Sequence, residues 1–245
     1  MKKNKLIIGF LLLATLTSCG NKEKAKETNS NKNTQIEETT KKASEDDYNF
    51  FVDENGKVVD KENTKDKKII QWYTDPGCSA CVRVESKTNK EKLNKLLKDN
   101  NAVIKYNFVG LQDSIYGNKI SSYILAVLKY DKENAVAFME EVMNEKYTKF
   151  NKTPDEEETI KKTYEKIGGK KWEKIEEEAP SYAGLVQDKS NEFLEDKDML
   201  KKSPNEDGLF TPFIYVEGTE KALSLTANEK GEINLLDVLK SNLEK

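Results

Sequence analysis

The 245-residue chain contains no histidine. That absence removes the usual zinc ligand, the usual general base at neutral pH and any Ser-His or Cys-His catalytic pair. Cysteine is scarce too: Cys19, Cys78 and Cys81 are the only three. Arginine is nearly missing, with Arg83 alone among 41 basic residues, and those are outnumbered by 44 acids. The net charge of −3 falls to −6 once the leader's Lys2, Lys3 and Lys5, which have no acid beside them, are set aside. Without a basic domain, and without aromatic residues interleaved with basic ones, nucleic acid is not an expected partner. No internal repeat is visible. The 36% hydrophobic residues supply a core for one domain with appendages, and the 35% charged residues place part of the length in solvent.

Long apolar runs are also lacking. The run at 6–16 follows a basic start and is too short to cross a bilayer, so 1–18 reads as an export signal. Leu16-Thr17-Ser18-Cys19 resembles the lipobox of bacterial lipoproteins, which implies cleavage before Cys19, lipidation of Cys19, and a place on the extracytoplasmic face of a bacterial membrane. Residues 19–47 are Lys, Glu, Asn, Thr and Ser with little apolar relief, and are expected to be a disordered tether spanning roughly 30 Å. An exported location permits Cys78 and Cys81 to form a disulfide.

What the chain does have is a dithiol placed where a strand becomes a helix. Ile69, Ile70, Trp72 and Tyr73 form an apolar run of strand length, and Asp75-Pro76-Gly77 stops it with turn chemistry. A helix beginning at about Cys78 would set its unpaired N–H groups and positive dipole end beside that sulfur, favouring the thiolate. Cys81 falls one turn further on the same face, within reach of a sulfur bonded to Cys78. The spacing predicts a thiol–disulfide exchange site.

Around this point the chain reads as strand, helix, strand. Phe50 to Val59, interrupted by Asp53-Glu54-Asn55-Gly56, predicts a hairpin or edge strand. Val82, Leu93, Leu96 and Leu97 continue a helical spacing to about Asp99, and 102–109 alternates as the next strand. Strand signals vanish over 113–206. Helical stripes replace them, including a helix opened by Thr153 and Pro154, a short piece ended by Pro180, and a further one carrying Tyr182, Leu185, Val186 and Phe193. Their Met and aromatic residues read as a helical core, not a cofactor box. A strand at 209–216, a return strand at 222–225 and a helix with Ile233, Leu235, Leu236, Leu239 and Leu243 on one stripe close the chain. Pro212 requires a special position, because proline gives no donor to an interior ladder.

The ordered set of strand, Cys78-Ser79-Ala80-Cys81, helix, about ninety inserted helical residues and Thr211-Pro212 resembles the thioredoxin superfamily in its DsbA-like branch. The fold class implied is α/β, a thioredoxin fold with an inserted helical domain. Its parts would be 48–112 and 207–245 for the thioredoxin domain and 113–206 for the insertion. In that family the proline matching Pro212 is cis and faces the dithiol, and the residue matching Thr211 pairs its backbone with bound peptide. The turn at Thr74-Asp75-Pro76-Gly77 also resembles the DsbC and DsbG isomerases, but 20–67 is too short and polar for their dimerisation domain. Two departures stand out. Trp72, with Gln71 beside it, occupies the place of the family's buried carboxylate, and Ser79-Ala80 stands where strong oxidants have proline and histidine.

The resemblance implies a thiol:disulfide oxidoreductase with Cys78 and Cys81 catalytic, Thr211 and Pro212 binding substrate, and no cofactor or metal. Its partners would be exported proteins bearing thiols or disulfides and a membrane redox partner, with the lipid on Cys19 as the link to the membrane. Disulfide formation is the leading direction. The alternatives are a reductase or isomerase, or a lipoprotein that holds copper between two soft thiolates.

Overall fold

The computed structural model describes residues 43–111, 115–144, 156–204, 208–228 and 232–244. Five strands form one sheet in the order β2-β1-β4-β3-β5, with β1 Phe50–Val52, β2 Val58–Val59, β3 Lys68–Thr74, β4 Ala102–Phe108 and β5 Phe213–Val216. The β3/β4 pair is parallel, and β1/β2, β1/β4 and β3/β5 are antiparallel. The first hairpin turns because Asp53 Oδ1 accepts from Asn55 N and Lys57 N, each at 2.9 Å. Gly56, at φ +69°, takes the left-handed conformation there that a side chain would resist.

One sheet face carries Phe50, Ile70, Trp72, Ile104, Tyr106, Phe108 and Ile214, all at most 2% exposed. This face is continuous with the core of the inserted helices, which runs through Ile120, Ile124, Phe138, Met139, Tyr164 and Trp172. The opposite face is aromatic near β5: Tyr73 stacks on Phe193 at 4.5 Å, and Phe213 meets both edge-on. Period-two alternation along β3 and β4 therefore separates two cores.

The helices are α1 Ser79–Lys87, α2 Lys90–Asp99, α3 Ile115–Tyr130, α4 Ala135–Val142, α5 Glu156–Lys166, α6 Trp172–Glu195, α7 Lys197–Lys202 and α8 Leu235–Leu243. The single helix expected to run on to Asp99 is two. Thr88 is extended (ψ 124°) and its hydroxyl caps the Val84 carbonyl, while Asn89 Oδ1 accepts from Lys92 N at 2.9 Å and starts α2 afresh. The two pieces expected around Pro180 are one 24-residue helix, α6. Pro180 lies on its exposed side, while Trp172, Ile175, Ala179, Tyr182, Leu185, Val186 and Phe193 are buried at helical spacing. Packing of that stripe against α3, including Tyr123 stacked on Trp172 at 5.4 Å, outweighs one missing backbone donor.

The strand expected over 209–216 begins only at Phe213, after the residue that lacks an N–H. The expected return strand at 222–225 is not a strand. Leu223 N donates to Ile214 O at 2.7 Å, but the adjacent Ala222 N turns to Lys202 O at 2.8 Å, so no ladder develops. Ile233 lies outside α8, in a bridge to Ala227. Regular structure starts earlier than Tyr48: Glu45–Tyr48 is a 3-10 turn, with Asp47 paired to Lys129 and Glu45 paired to Lys189, so the folded unit takes up the last residues of the expected tether. Thr153 and Pro154, expected to start a helix, lie outside the described residues.

Candidate active site

The strand β3 delivers the chain to the dithiol through a turn that its own sequence closes. Asp75 Oδ1 accepts from Gly77 N at 2.7 Å, an Asx-turn, and Asp75 O accepts from Cys78 N at 2.9 Å. Cys78 is thereby left as the N-cap of α1 with extended dihedrals (φ −87°, ψ 120°), and its carbonyl takes the first helical bond from Val82 N at 3.1 Å. Its sulfur sits at the end of the helix where N–H groups have no carbonyl partners. Cys81 is one turn in. The two residues are 5% and 1% exposed and both are free thiols.

The environment separates the two sulfurs. The Cys78 thiol is drawn down from 9.0 to about 5, first because Cys81 donates a hydrogen bond to its thiolate. Burial opposes the shift, and the backbone N–H of Cys81, the Thr211 side chain and the backbone N–H of Ala80 add to it. Burial, and then the neighbouring Cys78 sulfur, push the Cys81 thiol well above its ordinary value. The Asp75 N–H points at Cys81 Sγ at 3.4 Å. One sulfur is thus a thiolate at neutral pH and the other a protonated donor to it.

Alkylation of the reduced protein should label Cys78 first, with a midpoint at about pH 5. A midpoint near 9, or first labelling at Cys81, would contradict this electrostatic arrangement. The same shift links to stability. Because the folded pKa lies below the unfolded one, the stabilisation is fully present above pH 9 and is lost as pH falls through about 5. The reduced form should gain stability relative to the oxidised form across that window.

Thr211 and Pro212 approach from the start of β5, and their peptide bond is cis. Cys78 Sγ lies 3.4 Å from the Thr211 carbonyl oxygen, to which it donates only when protonated. Residues separated by 133 positions therefore meet at one sulfur. Cys19 lies outside the described residues.

Trp72 is a core residue, 1% exposed, with its ring 5.4 Å from that of Tyr106. Gln71 Nε2 donates to Glu217 Oε1 at 2.6 Å, and Gln71 Oε1 accepts from Asn107 Nδ2 at 2.8 Å. The buried carboxylate of this site is instead Asp75, 0% exposed, whose Oδ2 also accepts from Leu111 N at 3.1 Å just beyond β4. Sequence reasoning read Asp75 only as turn chemistry. The available signal was its place between a strand of core residues and a buried dithiol. Gly110, beside Leu111, completes the packing: a Cβ there would stand 2.0 Å from Asn118 Oδ1. Among the described residues no group of three or more His, Cys, Asp or Glu side chains is placed to hold a metal ion.

No protein-family model matches the chain, and no curated protein matches it. Solved structures do. Oxidised DsbA of Mycobacterium tuberculosis superposes with a TM-score of 0.56 at 17% identity, covering 80% of this chain and 93% of that one. MdbA, a thiol-disulfide oxidoreductase from Corynebacterium diphtheriae, gives 0.56 at 15% identity over 80% and 90% of the two chains. The thiol-disulfide exchange protein alpha-DsbA2 of Wolbachia pipientis gives 0.51 at 14% over 80% and 86%. The fold is therefore the DsbA-like thioredoxin fold with inserted helices, as the order of sequence features predicts.

Proposed function

We propose that the protein is a lipid-tethered, extracytoplasmic thiol:disulfide oxidoreductase that forms disulfides in exported proteins, with Cys78 and Cys81 as its redox pair and Thr211 and Pro212 receiving the substrate. The observation that carries this reading is the pairing of a stabilised thiolate at Cys78 with a buried, protonated Cys81. In the oxidised state a substrate thiolate attacks Cys78 Sγ. Cys81 leaves as a thiolate and takes up a proton, and a mixed disulfide joins substrate to Cys78. A second substrate thiolate then attacks the substrate sulfur of that bond and expels Cys78. Two substrate thiols are oxidised, two protein thiols are formed, and a membrane redox partner removes the two electrons.

The acidities favour this direction. A low-pKa thiol is the better leaving group, so the second step runs toward release. Cys81, held protonated by burial, competes poorly for the mixed disulfide. At pH 7 the Cys78 thiolate favours the reduced enzyme by roughly 3 kcal/mol over an ordinary thiol, which raises the potential by about 60 mV. Acylation of Cys19 would hold the folded unit at the membrane, consistent with its lipobox-like surroundings.

Equilibration with glutathione over a range of pH tests the chemistry. The potential of the pair should fall by about 60 mV per pH unit below pH 5, where two protons accompany two electrons, and by about 30 above it, where one does. A constant slope of about 60 mV up to pH 8 would overturn the thiolate argument. Failure of the oxidised protein to introduce disulfides into a reduced, unfolded substrate would overturn the proposed direction. In the same expression host the full chain should fractionate with membranes and Cys19→Ala should not.

A further inference from the structure

Beside the dithiol the surface sinks into a groove of about 270 Å³ whose lining includes Ala80, Arg83, Phe210, Pro212, Leu225 and Ile233. The groove is bordered by Ala80, which lies between the two cysteines, and by Thr211, whose carbonyl oxygen is 3.4 Å from Cys78 Sγ. It is apolar for most of its length. Phe210 stays 40% exposed, one of three large hydrophobic side chains left so among the described residues. Its described lining holds one charged side chain, Arg83, which is also the sole arginine of the chain. Arg83 is exposed on α1, and among the described residues its guanidinium has no hydrogen bond or ion pair. Lysines along the helices are commonly paired, as Lys90 is to Glu85 and Glu140 and Lys189 to Glu45 and Glu192. A net-acidic protein thus places an unmatched, planar, bidentate cation in the apolar groove next to its nucleophile.

We propose that Arg83 sets substrate preference: the groove takes an extended segment of the protein substrate in which an acidic side chain lies two or three residues from the reacting cysteine. The inference rests on the exchange reading given above and adds a substrate class to it. The spacing follows from geometry. Arg83 lies five positions after Cys78, a rise of about 7.5 Å along the helix axis, and an extended peptide covers that distance in two to three residues at about 3.3 Å each. A carboxylate placed there meets the guanidinium fork, and an apolar neighbour covers Phe210. A lysine at the same position meets a like charge over a surface of low dielectric and is disfavoured.

The test uses the Cys81→Ser protein, which leaves Cys78 to form a stable mixed disulfide with single-cysteine peptides activated as thionitrobenzoate disulfides. Attack of Cys78 on the peptide sulfur releases one coloured thiolate per bond formed, so binding and maximal rate are read separately. The peptides carry Glu, Gln or Lys two or three residues before or after the cysteine. Each rate is divided by that protein's rate with neutral iodoacetamide, which removes changes in thiolate reactivity. The Glu peptide should exceed the Lys peptide about three- to tenfold, on one side of the cysteine only, with the difference in half-saturation and not in maximal rate. It should shrink in 0.5 M salt, persist in Arg83→Lys, vanish in Arg83→Gln and reverse in Arg83→Glu. Mixed disulfides formed equally with all peptides would overturn the role of Arg83 and leave the exchange reading intact. No mixed disulfide with any peptide, despite normal alkylation, would overturn both.

Discussion

Cys78→Ser is expected to abolish disulfide exchange, lowering the rate by at least about a thousandfold, because an alcohol at this helix end is not ionised and cannot form the mixed disulfide. Cys81→Ser should behave differently. It keeps the nucleophile, loses the thiol that donates to the Cys78 thiolate, and should accumulate Cys78-linked mixed disulfides visible on non-reducing gels and by mass spectrometry. Its Cys78 midpoint should rise only in part, because the serine hydroxyl can donate in place of the thiol and the backbone N–H groups at positions 80 and 81 and the Thr211 side chain remain. The serine hydroxyl can still accept from Asp75 N, so the stability cost should be small, about 1 kcal/mol. Measurable turnover in Cys78→Ser, or adducts found on Cys81 in the wild-type protein, would reverse the assignment of roles.

The parts of this site that were legible in the sequence share a local cause. Strand β3, its stop at Asp75-Pro76-Gly77 and a helix after Cys78 each follow from residues within one turn or one strand, and so does the oddity of Pro212. What brings Thr211 to within 3.4 Å of Cys78 is not local: it is the antiparallel register of β5 on β3, with Tyr73 opposite Phe213. Periodicity does not set that register; the resemblance to known proteins implies only that Pro212 faces the dithiol. The misread elements show the opposite imbalance. Pro180 and Thr88 both carry local signals. The first is overridden by the buried stripe of α6 against α3, and the second was hidden because Val82 and Leu93 happen to keep a helical spacing across two helices. The segment 222–225 has strand composition but loses its ladder to a bond from Ala222 to Lys202, two residues that no sequence pattern associates.

Asp75 is the residue whose importance only the folded chain reveals, and Asp75→Ala carries the largest expected stability effect. Its carboxylate is 0% exposed and accepts from the N–H of Gly77 at 2.7 Å and of Leu111 at 3.1 Å. Hydrogen bonds to a charged acceptor contribute about 1.5–3 kcal/mol each, and their loss leaves both half-buried N–H groups without this acceptor, so alanine should cost roughly 3–5 kcal/mol. For a folded unit of this size that is a fall of about 6–20 °C in Tm. Asp75→Asn separates geometry from charge. Its single carbonyl oxygen can keep the bond from Gly77, but its amide then presents N–H to the N–H of Leu111, so a cost of about 1–3 kcal/mol is expected. Because Asp75 closes the turn that precedes Cys78, the loosened turn in both variants should also raise the Cys78 alkylation midpoint, alanine more than asparagine. The thiolate needs the helix end held against it, and a loosened turn admits water and averages that alignment away. An alanine variant within 1 kcal/mol of the wild type in urea, with an unchanged Cys78 midpoint, would show that the turn closes without the carboxylate and that Asp75 positions nothing.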